Sequence, residues 1–270
     1  MRDLHGRRGL VTGATGGLGH AIARALASER VELVLSGRNE QRLGELAREL
    51  GARSIRADLT DGSQVEGLAD QAGAVDILVN NAGIELYGSF GDVERDVVER
   101  IVTLNLTAPM LLTHRLLPGM LERGRGHVVN IASLAGHACP PYQAPYATTK
   151  AGLIALTRAL AAEYRATPVG FSVVSPSFVT DAGMHAEFVE ARGVETPVFA
   201  GTVKPEAVAR AVLRAIRDDR LEVLVAPRPV RPLVALAGLS PRLAEGVVRR
   251  TGVGAMFHAA AETHRGTPTR

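Results

Sequence analysis

A tyrosine and a lysine stand four residues apart in PYATTKAGLIAL, residues 145–156. The chain carries 31 Lys and Arg side chains, and only Lys150 and Lys204 are lysines. Arginine is a rigid, permanently charged fork, whereas lysine is a compact ammonium on a flexible stem. A phenol has an ordinary pKa of about 10 and is a poor base at neutral pH. A nearby ammonium stabilises the phenolate and lowers that value. At i and i+4 both side chains share one helix face. Tyr146 and Lys150 therefore have the types and spacing of a proton-transfer pair. The lysine supplies what arginine cannot, a compact cation with a transferable proton.

Such a pair must be held by regular elements, and the chain alternates between short apolar runs and longer amphipathic ones. RGLVTG, VELVLSG, ARSIRAD, DILVNNAG and GHVVNIAS read as five strands; VGFSVVSP and LEVLVAP read as the sixth and seventh. Helices are expected over GLGHAIARALASE, over NEQRLGELARELG with Gly51 as its stop, and over roughly 93–119. Two more are expected over APYATTKAGLIALTRALAAEY and over KPEAVARAVLRAIRD, which Pro205 enters in its first turn. Strands that are apolar throughout, alternating with helices, indicate an α/β fold: a doubly wound, Rossmann-like parallel sheet of about seven strands with helices on both faces. Ligands of such sheets sit at the carboxyl ends of the strands. The unusual residues fall there: Gly13 to Gly19, Gly37 and Arg38, Asp58, Asn80 to Gly83, Ser133 and Pro176.

LVTGATGGLGHAIA sets Gly13, Gly16, Gly17 and Gly19 between the first strand and the first helix. Glycine permits the tight turn and lets backbone N–H groups approach a pyrophosphate at a helix N-terminus. No Gly-Lys-Ser/Thr ending follows, which disfavours a P-loop nucleotidase. An acid at the end of the second strand would accept from the ribose hydroxyls of NAD. Here LVLSGRNE offers Gly37 and then Arg38. The missing carboxylate and the cation together favour NADP(H), with Arg38 on a 2′-phosphate; the alternative is an ordinary solvated arginine.

TGATGGLG, NNAG, IASLAG and YATTK together resemble the classical short-chain dehydrogenase/reductase family, over roughly residues 6–226. The glycine spacing would also suit the family's extended branch; NNAG and the chain length favour the classical one. The resemblance implies that Tyr146 exchanges a proton with the substrate oxygen, that Lys150 supports it and reaches the nicotinamide ribose, and that Ser133 hydrogen-bonds the substrate carbonyl or alcohol. Asn105 matches the helix asparagine that holds a water in the proton relay; a satisfied buried amide is the alternative. Asn80 matches a structural brace. Cofactor contacts are implied for Gly13, Thr15, Gly16, Gly17, Leu18 and Gly19 in the turn. Asp58 and Leu59 are implied at the adenine, and Asn81, Ala82 and Gly83 beyond the fourth strand. Tyr146, Lys150, Pro176 and Val179 complete the set. Asp58 could equally be a turn residue. Gln143, three residues before Tyr146, is placed at the substrate mouth, although a solvated loop residue is the plainer reading. Hydride passes between nicotinamide and substrate carbon, so no metal is required.

One stretch departs from the family pattern. SPSFVTDAGM has Ser177 where the family writes glycine and Asp181 where it writes threonine, with Val179 retained. Residues 182–203 form the expected substrate lid, whose Met184, Phe188, Val198 and Phe199 point to an apolar carbonyl substrate. Beyond the catalytic domain, 1–226, residues 227–270 form an apolar and basic extension. Seven Arg against Glu245 and Glu262 give it a net charge of +5, which leaves −2 on the rest. It could be a cap over the substrate mouth, an oligomer contact or an interfacial membrane contact. Residues 241–250 are its candidate helix.

The main domain is not basic, so nucleic-acid binding is not expected. No run of 18 apolar residues is present, so no transmembrane helix is expected. The single cysteine, Cys139, excludes an internal disulfide and fits a reducing compartment, hence a cytoplasmic protein. The leading expectation is an NADP(H)-dependent carbonyl reductase or alcohol dehydrogenase, forming a homodimer or homotetramer. The alternative is a non-catalytic NADP(H)-binding sensor on the same scaffold. The complete Ser133, Tyr146 and Lys150 set argues against it, since a pure binder has no use for all three.

Overall fold

The computed structural model describes residues 1–180, 202–227, 240, 246 and 253–262. Seven strands form one parallel sheet: β1 (Arg8–Thr12), β2 (Glu32–Gly37), β3 (Arg53–Arg56), β4 (Ile77–Asn80), β5 (Gly126–Ile131), β6 (Val169–Pro176) and β9 (Glu222–Val225). Their spatial order is β3-β2-β1-β4-β5-β6-β9, so the chain reverses direction across the sheet between β1 and β4. That crevice is where a doubly wound sheet binds its ligand.

Alternation along each strand explains why both faces need helices. Leu10, Val34, Leu78 and Val128 point to one apolar layer. Their neighbours Val11, Leu33, Leu35, Ile77, Val79 and Val129 point to the other. The first layer is closed by α3 (Gly62–Ala72), α4 (Arg95–Val102) and α5 (Ala108–Glu122). The second is closed by α1 (Gly17–Ser28), α2 (Glu40–Leu50) and the later helix Pro205–Arg217. Each Val, Leu or Ile fully buried in this way contributes about 1.5–3 kcal/mol. Helix α2 begins at Asn39, whose side chain accepts from the Arg42 N–H, and stops at Gly51 as expected.

The structure adds to the sequence reading at four places. Helix α3 was not foreseen. The long helix expected over about 93–119 is α4 and α5 joined by a π-helical turn, Thr103–Thr107. Short strands β7 (Phe178–Val179) and β8 (Thr202–Val203) pair beside the main sheet. Two helices precede β6: α6 (Ala135–Ala138) and the expected α7 (Ala144–Glu163). Helix Pro205–Arg217 is then α8, and the extension supplies α9 (Val253–Glu262); the candidate helix at 241–250 lies, apart from Gly246, outside the described residues. Met256 and Phe257 of α9 are buried against Tyr87, with Tyr142 and Phe178 packed on the same cluster. Among the described residues no helix is long and apolar enough to cross a membrane.

In β5 His127 is buried, its Nε2 2.8 Å from Ser172 Oγ of β6. Burial, and then the positive N-terminus, bring its pKa down to about 3.

Candidate active site

Tyr146 and Lys150 lie on the buried face of α7, with Tyr146 6% and Lys150 3% exposed. The Lys150 Nζ sits 5.6 Å from the centroid of the Tyr146 ring and donates to the Ile131 carbonyl at 2.9 Å. Ser133, just past β5, is hydrogen-bonded to Tyr146. It also accepts from the Ala135 N–H at 3.1 Å. Three residues expected to act together are therefore brought together.

The electrostatic outcome reverses one expectation. Burial, and then the Glu85 carboxylate, push the Tyr146 phenol above its ordinary pKa; the Ser133 hydrogen bond opposes them more weakly. Burial lowers Lys150 to about 8, with Glu85 acting in the opposite direction. Desolvation disfavours the charged form of both groups and here outweighs the stabilisation a lysine gives a phenolate. Burial thus favours the neutral phenol over the phenolate at Tyr146.

Asn105 stands in the π-helical turn and is fully buried. Its Oδ1 accepts from Ile84 N–H at 2.9 Å, and its Nδ2 donates to the Ile84 carbonyl at 2.8 Å and to Thr149 Oγ1 at 3.3 Å. The side chain is thus a satisfied amide that ties the loop after β4 to Thr149 of α7. Turns of this kind recur at functional sites because the i→i+5 pattern frees backbone groups. Asn80 is the expected brace: its Nδ2 donates to Asn130 Oδ1 at 2.9 Å and Thr113 Oγ1 at 3.3 Å.

The glycine turn is shaped for an anion. Gly13 has φ +62°, in the left-handed region that favours glycine. A Cβ on Gly19 would stand 2.2 Å from the Gly13 carbonyl oxygen and 2.8 Å from Asn81 Nδ2. Asn81 locks the turn by donating to the carbonyls of Thr12 and Gly13 at 3.0 and 3.2 Å. Ala82 N–H donates to Thr12 Oγ1. Helix α1 starts at Gly16 with no side-chain cap and no acid in its first turn. Its first N–H groups, from Gly17, Leu18 and Gly19, are available to a phosphate.

At the end of β2, Thr15 Oγ1 lies against Gly37, and Arg38 is exposed. Arg56, which the sequence reading passed over, donates from Nε to the Arg38 carbonyl at 3.3 Å. Burial alone would raise the Asp58 pKa. Hydrogen bonds from Thr60, and then the charges of Arg38 and Arg100, outweigh it and hold Asp58 below the usual carboxylate range. Asp58 therefore does serve as a turn residue, and Leu59 beside it is buried. Pro176 ends β6, its carbonyl accepting from Leu134 N–H. Just past β7 the Thr180 N–H donates to the Val203 carbonyl, so the Val179 peptide groups face the opposite edge. Met184 and Phe188, with Asp181, Val198 and Phe199, lie outside the described residues.

Glu85 is the residue sequence reasoning missed. It is 7% exposed, and its Oε1 accepts from Tyr87 Oη at 2.6 Å and from Gln143 Nε2 at 2.8 Å. Burial raises its pKa, against the two hydrogen bonds and the Lys150 charge. Gln143, 1% exposed, is thus engaged with Glu85 and is not a solvated loop residue. The signal was an acid between Ile84 and Leu86, two residues after NNAG. Above this group Phe257 of α9 stacks on Tyr87 at 5.6 Å and lies 6.1 Å from Phe178, while His258 meets Tyr142 edge-on at 5.2 Å.

Comparison with known proteins agrees with this geometry. The short chain dehydrogenase family model matches residues 8–193. The ketoacyl reductase HetN of Nostoc sp. is 39% identical over 267 residues, covering 94% of this chain and 92% of its own. A crystal structure titled as a putative betaketoacyl-ACP reductase superposes with TM-score 0.74 at 36% identity, covering 83% of this chain and 97% of that one. An actinorhodin polyketide ketoreductase variant solved with NADPH gives TM-score 0.76 at 30% identity, covering 85% and 99%. The chain belongs to the short-chain dehydrogenase/reductase family of oxidoreductases, which act between CH–OH and C=O groups.

Proposed function

We propose that this protein is an NADP(H)-dependent carbonyl reductase acting on an apolar ketone, with Ser133, Tyr146 and Lys150 as its catalytic residues and Asn105 as their positioning residue. The observation that carries the reading is Tyr146: a buried phenol, hydrogen-bonded to Ser133 and pushed toward its protonated form, beside a lysine that can replace its proton. A group held this way is a proton donor, which is what a carbonyl oxygen needs as it becomes an alcohol.

The residues present fit a nicotinamide dinucleotide. The uncapped start of α1 suits the diphosphate, and the paired cations Arg38 and Arg56 at the end of the β2 crevice suit a 2′-phosphate. The outward-facing Val179 peptide suits the nicotinamide carboxamide. Bound, the cofactor would supply the hydride. The chain does the rest: Ser133 orients the carbonyl, Tyr146 gives its proton to the carbonyl oxygen, and Lys150 restores it. NADPH complexes among the structural relatives, and ketoacyl or polyketide reductase in their names, support the same cofactor and an acyl-type ketone. Aromatic residues around Phe257 support an apolar substrate, and we place the extension's α9 as a cap on the mouth. A cytoplasmic homodimer or homotetramer completes the proposal.

The test is NADPH oxidation followed at 340 nm against apolar ketones and β-ketoacyl thioesters. Tyr146→Phe should bind NADPH as the wild type does and lose about 10²–10⁴-fold in turnover. Near wild-type turnover in that variant would remove the assignment.

A further inference from the structure

Helix α6 has four residues, too few to hold its own shape in water, so contacts with its neighbours must fix it. Ser133 stands at its entrance. The Ser133 Oγ accepts from the Ala135 N–H at 3.1 Å, and the Ser133 carbonyl accepts from the Gly136 N–H at 3.0 Å. The Leu134 N–H donates to the Pro176 carbonyl at 3.0 Å, which ties this entrance to β6. On the other side α6 meets the backbone of α7. A Cβ on Gly136 would stand 2.7 Å from the Lys150 carbonyl carbon and 2.8 Å from the Ala151 nitrogen. That contact limits how close α6 comes to α7, but it has no direction and cannot stop a short helix from turning.

His137 supplies the direction. Its side chain is 13% exposed, and its Nε2 lies 3.2 Å from Ser175 Oγ in β6 and 3.5 Å from Glu222 Oε1 in β9. Arg158 of α7 donates to the other oxygen, Glu222 Oε2, from Nε at 3.2 Å and from Nη2 at 2.6 Å. Paired with a guanidinium, that carboxylate offers only acceptors. A lone pair on Nε2 would be repelled by Glu222 Oε1, whereas an N–H there is attracted to it and has the Ser175 oxygen as its acceptor. The hydrogen bond made by a histidine selects its tautomer, and here it places the proton on Nε2. Burial lowers the His137 pKa; Glu222 opposes that shift and Arg158 adds to it, so the ring is neutral in alkaline solution.

We propose that His137 is a positioning residue for Ser133: donating from Nε2 to Ser175 beside the Arg158-held Glu222, it fixes α6 among β6, β9 and α7 and thereby holds the serine hydroxyl against Tyr146. The inference rests on the catalytic reading of Ser133 and Tyr146 above. His137 acts through the serine and takes no part in proton transfer itself.

Labelling histidine with ¹⁵N reads the tautomer in alkaline solution without any turnover, and the signal lost in His137→Gln identifies His137 among the eight histidines. In the wild type Nε2 should carry the proton and Nδ1 should be bare. His137→Phe keeps a flat ring but removes the donor. Its turnover should fall about 10- to 100-fold, the scale set by displacing a catalytic group by about 1 Å, with NADPH affinity within about twofold of the wild type. Glutamine puts an amide N–H where Nε2 stands, so His137→Gln should recover to within about threefold of the wild type. In a Ser133→Ala background His137→Phe should cost less than about twofold, because the group it positions is already gone. The proposal is overturned by a proton on Nδ1 instead of Nε2, by wild-type turnover in His137→Phe, or by His137→Gln as slow as His137→Phe. An equal loss with and without Ser133 would also overturn it, since that is general damage to the fold. An active Tyr146→Phe would sink the catalytic reading, whereas the tautomer tests this inference alone.

Discussion

Helix α9 is ten residues long, and isolated helices shorter than about 12–15 residues are marginal in water. It therefore persists by docking, and Phe257 is its anchor: 2% exposed, stacked on Tyr87 and tilted against Phe178. Replacing a buried Phe by Ala costs about 3–5 kcal/mol. That loss exceeds what so short a helix can absorb, and the cluster it belongs to is separate from the two layers that hold the sheet. Phe257→Ala should consequently release α9 without unfolding the body. At about 1.4 kcal/mol per tenfold, a 3 kcal/mol loss lowers hydrogen-exchange protection of residues 253–262 roughly 100-fold. The thermal midpoint should move by a few degrees at most, NADPH affinity should hold, and KM for apolar ketones should rise as Tyr87 and Phe178 open to water. Retained protection over 253–262, or an unchanged KM with the helix released, would refute the reasoning that α9 closes the substrate mouth.

Arg38→Ala should remove most of a preference for NADPH over NADH, since a charge-assisted contact of about 1.5–3 kcal/mol is roughly ten- to a hundredfold in affinity; wild-type protein binding both cofactors equally would contradict the assignment. Lys150, lowered to about 8 by burial, is an ammonium below that pH and neutral above it, so reduction should be level below pH 8 and fall about tenfold per unit beyond. Lys150→Arg should be poorly active despite keeping its charge, and a variant with near wild-type turnover would mean that no transferable proton is needed. His127 has a folded pKa of about 3, far below its ordinary 6.5, so its contribution is complete above pH 6.5 and is lost as pH falls toward 3. Urea midpoints should show His127→Gln flattening that acid slope by about 3 kcal/mol between pH 7 and pH 4; equal slopes would show that His127 takes up its proton while folded.

Local chemistry explains what the sequence determined. A parallel strand buried on both faces must be apolar throughout, so β1, β4, β5 and β6 announced themselves. A turn that presses Gly13 against Gly19 admits no side chain, and a proton-transfer pair on a helix must be spaced like Tyr146 and Lys150. Each constraint acts within a few residues, so each leaves a mark on a single stretch of chain. Tertiary structure decided what depends on distant neighbours. The fall of α9 onto Tyr87 joins residues about 170 positions apart along the chain, which no periodicity encodes. Glu85 reads as a loop acid until Gln143 and Tyr87 close over it, 58 and two positions away. The sign of the Tyr146 shift went the same way. Sequence spacing supplies the lysine that would lower the phenol, but the burial that raises it belongs to the packed site as a whole, and in a desolvated pocket burial is the larger effect.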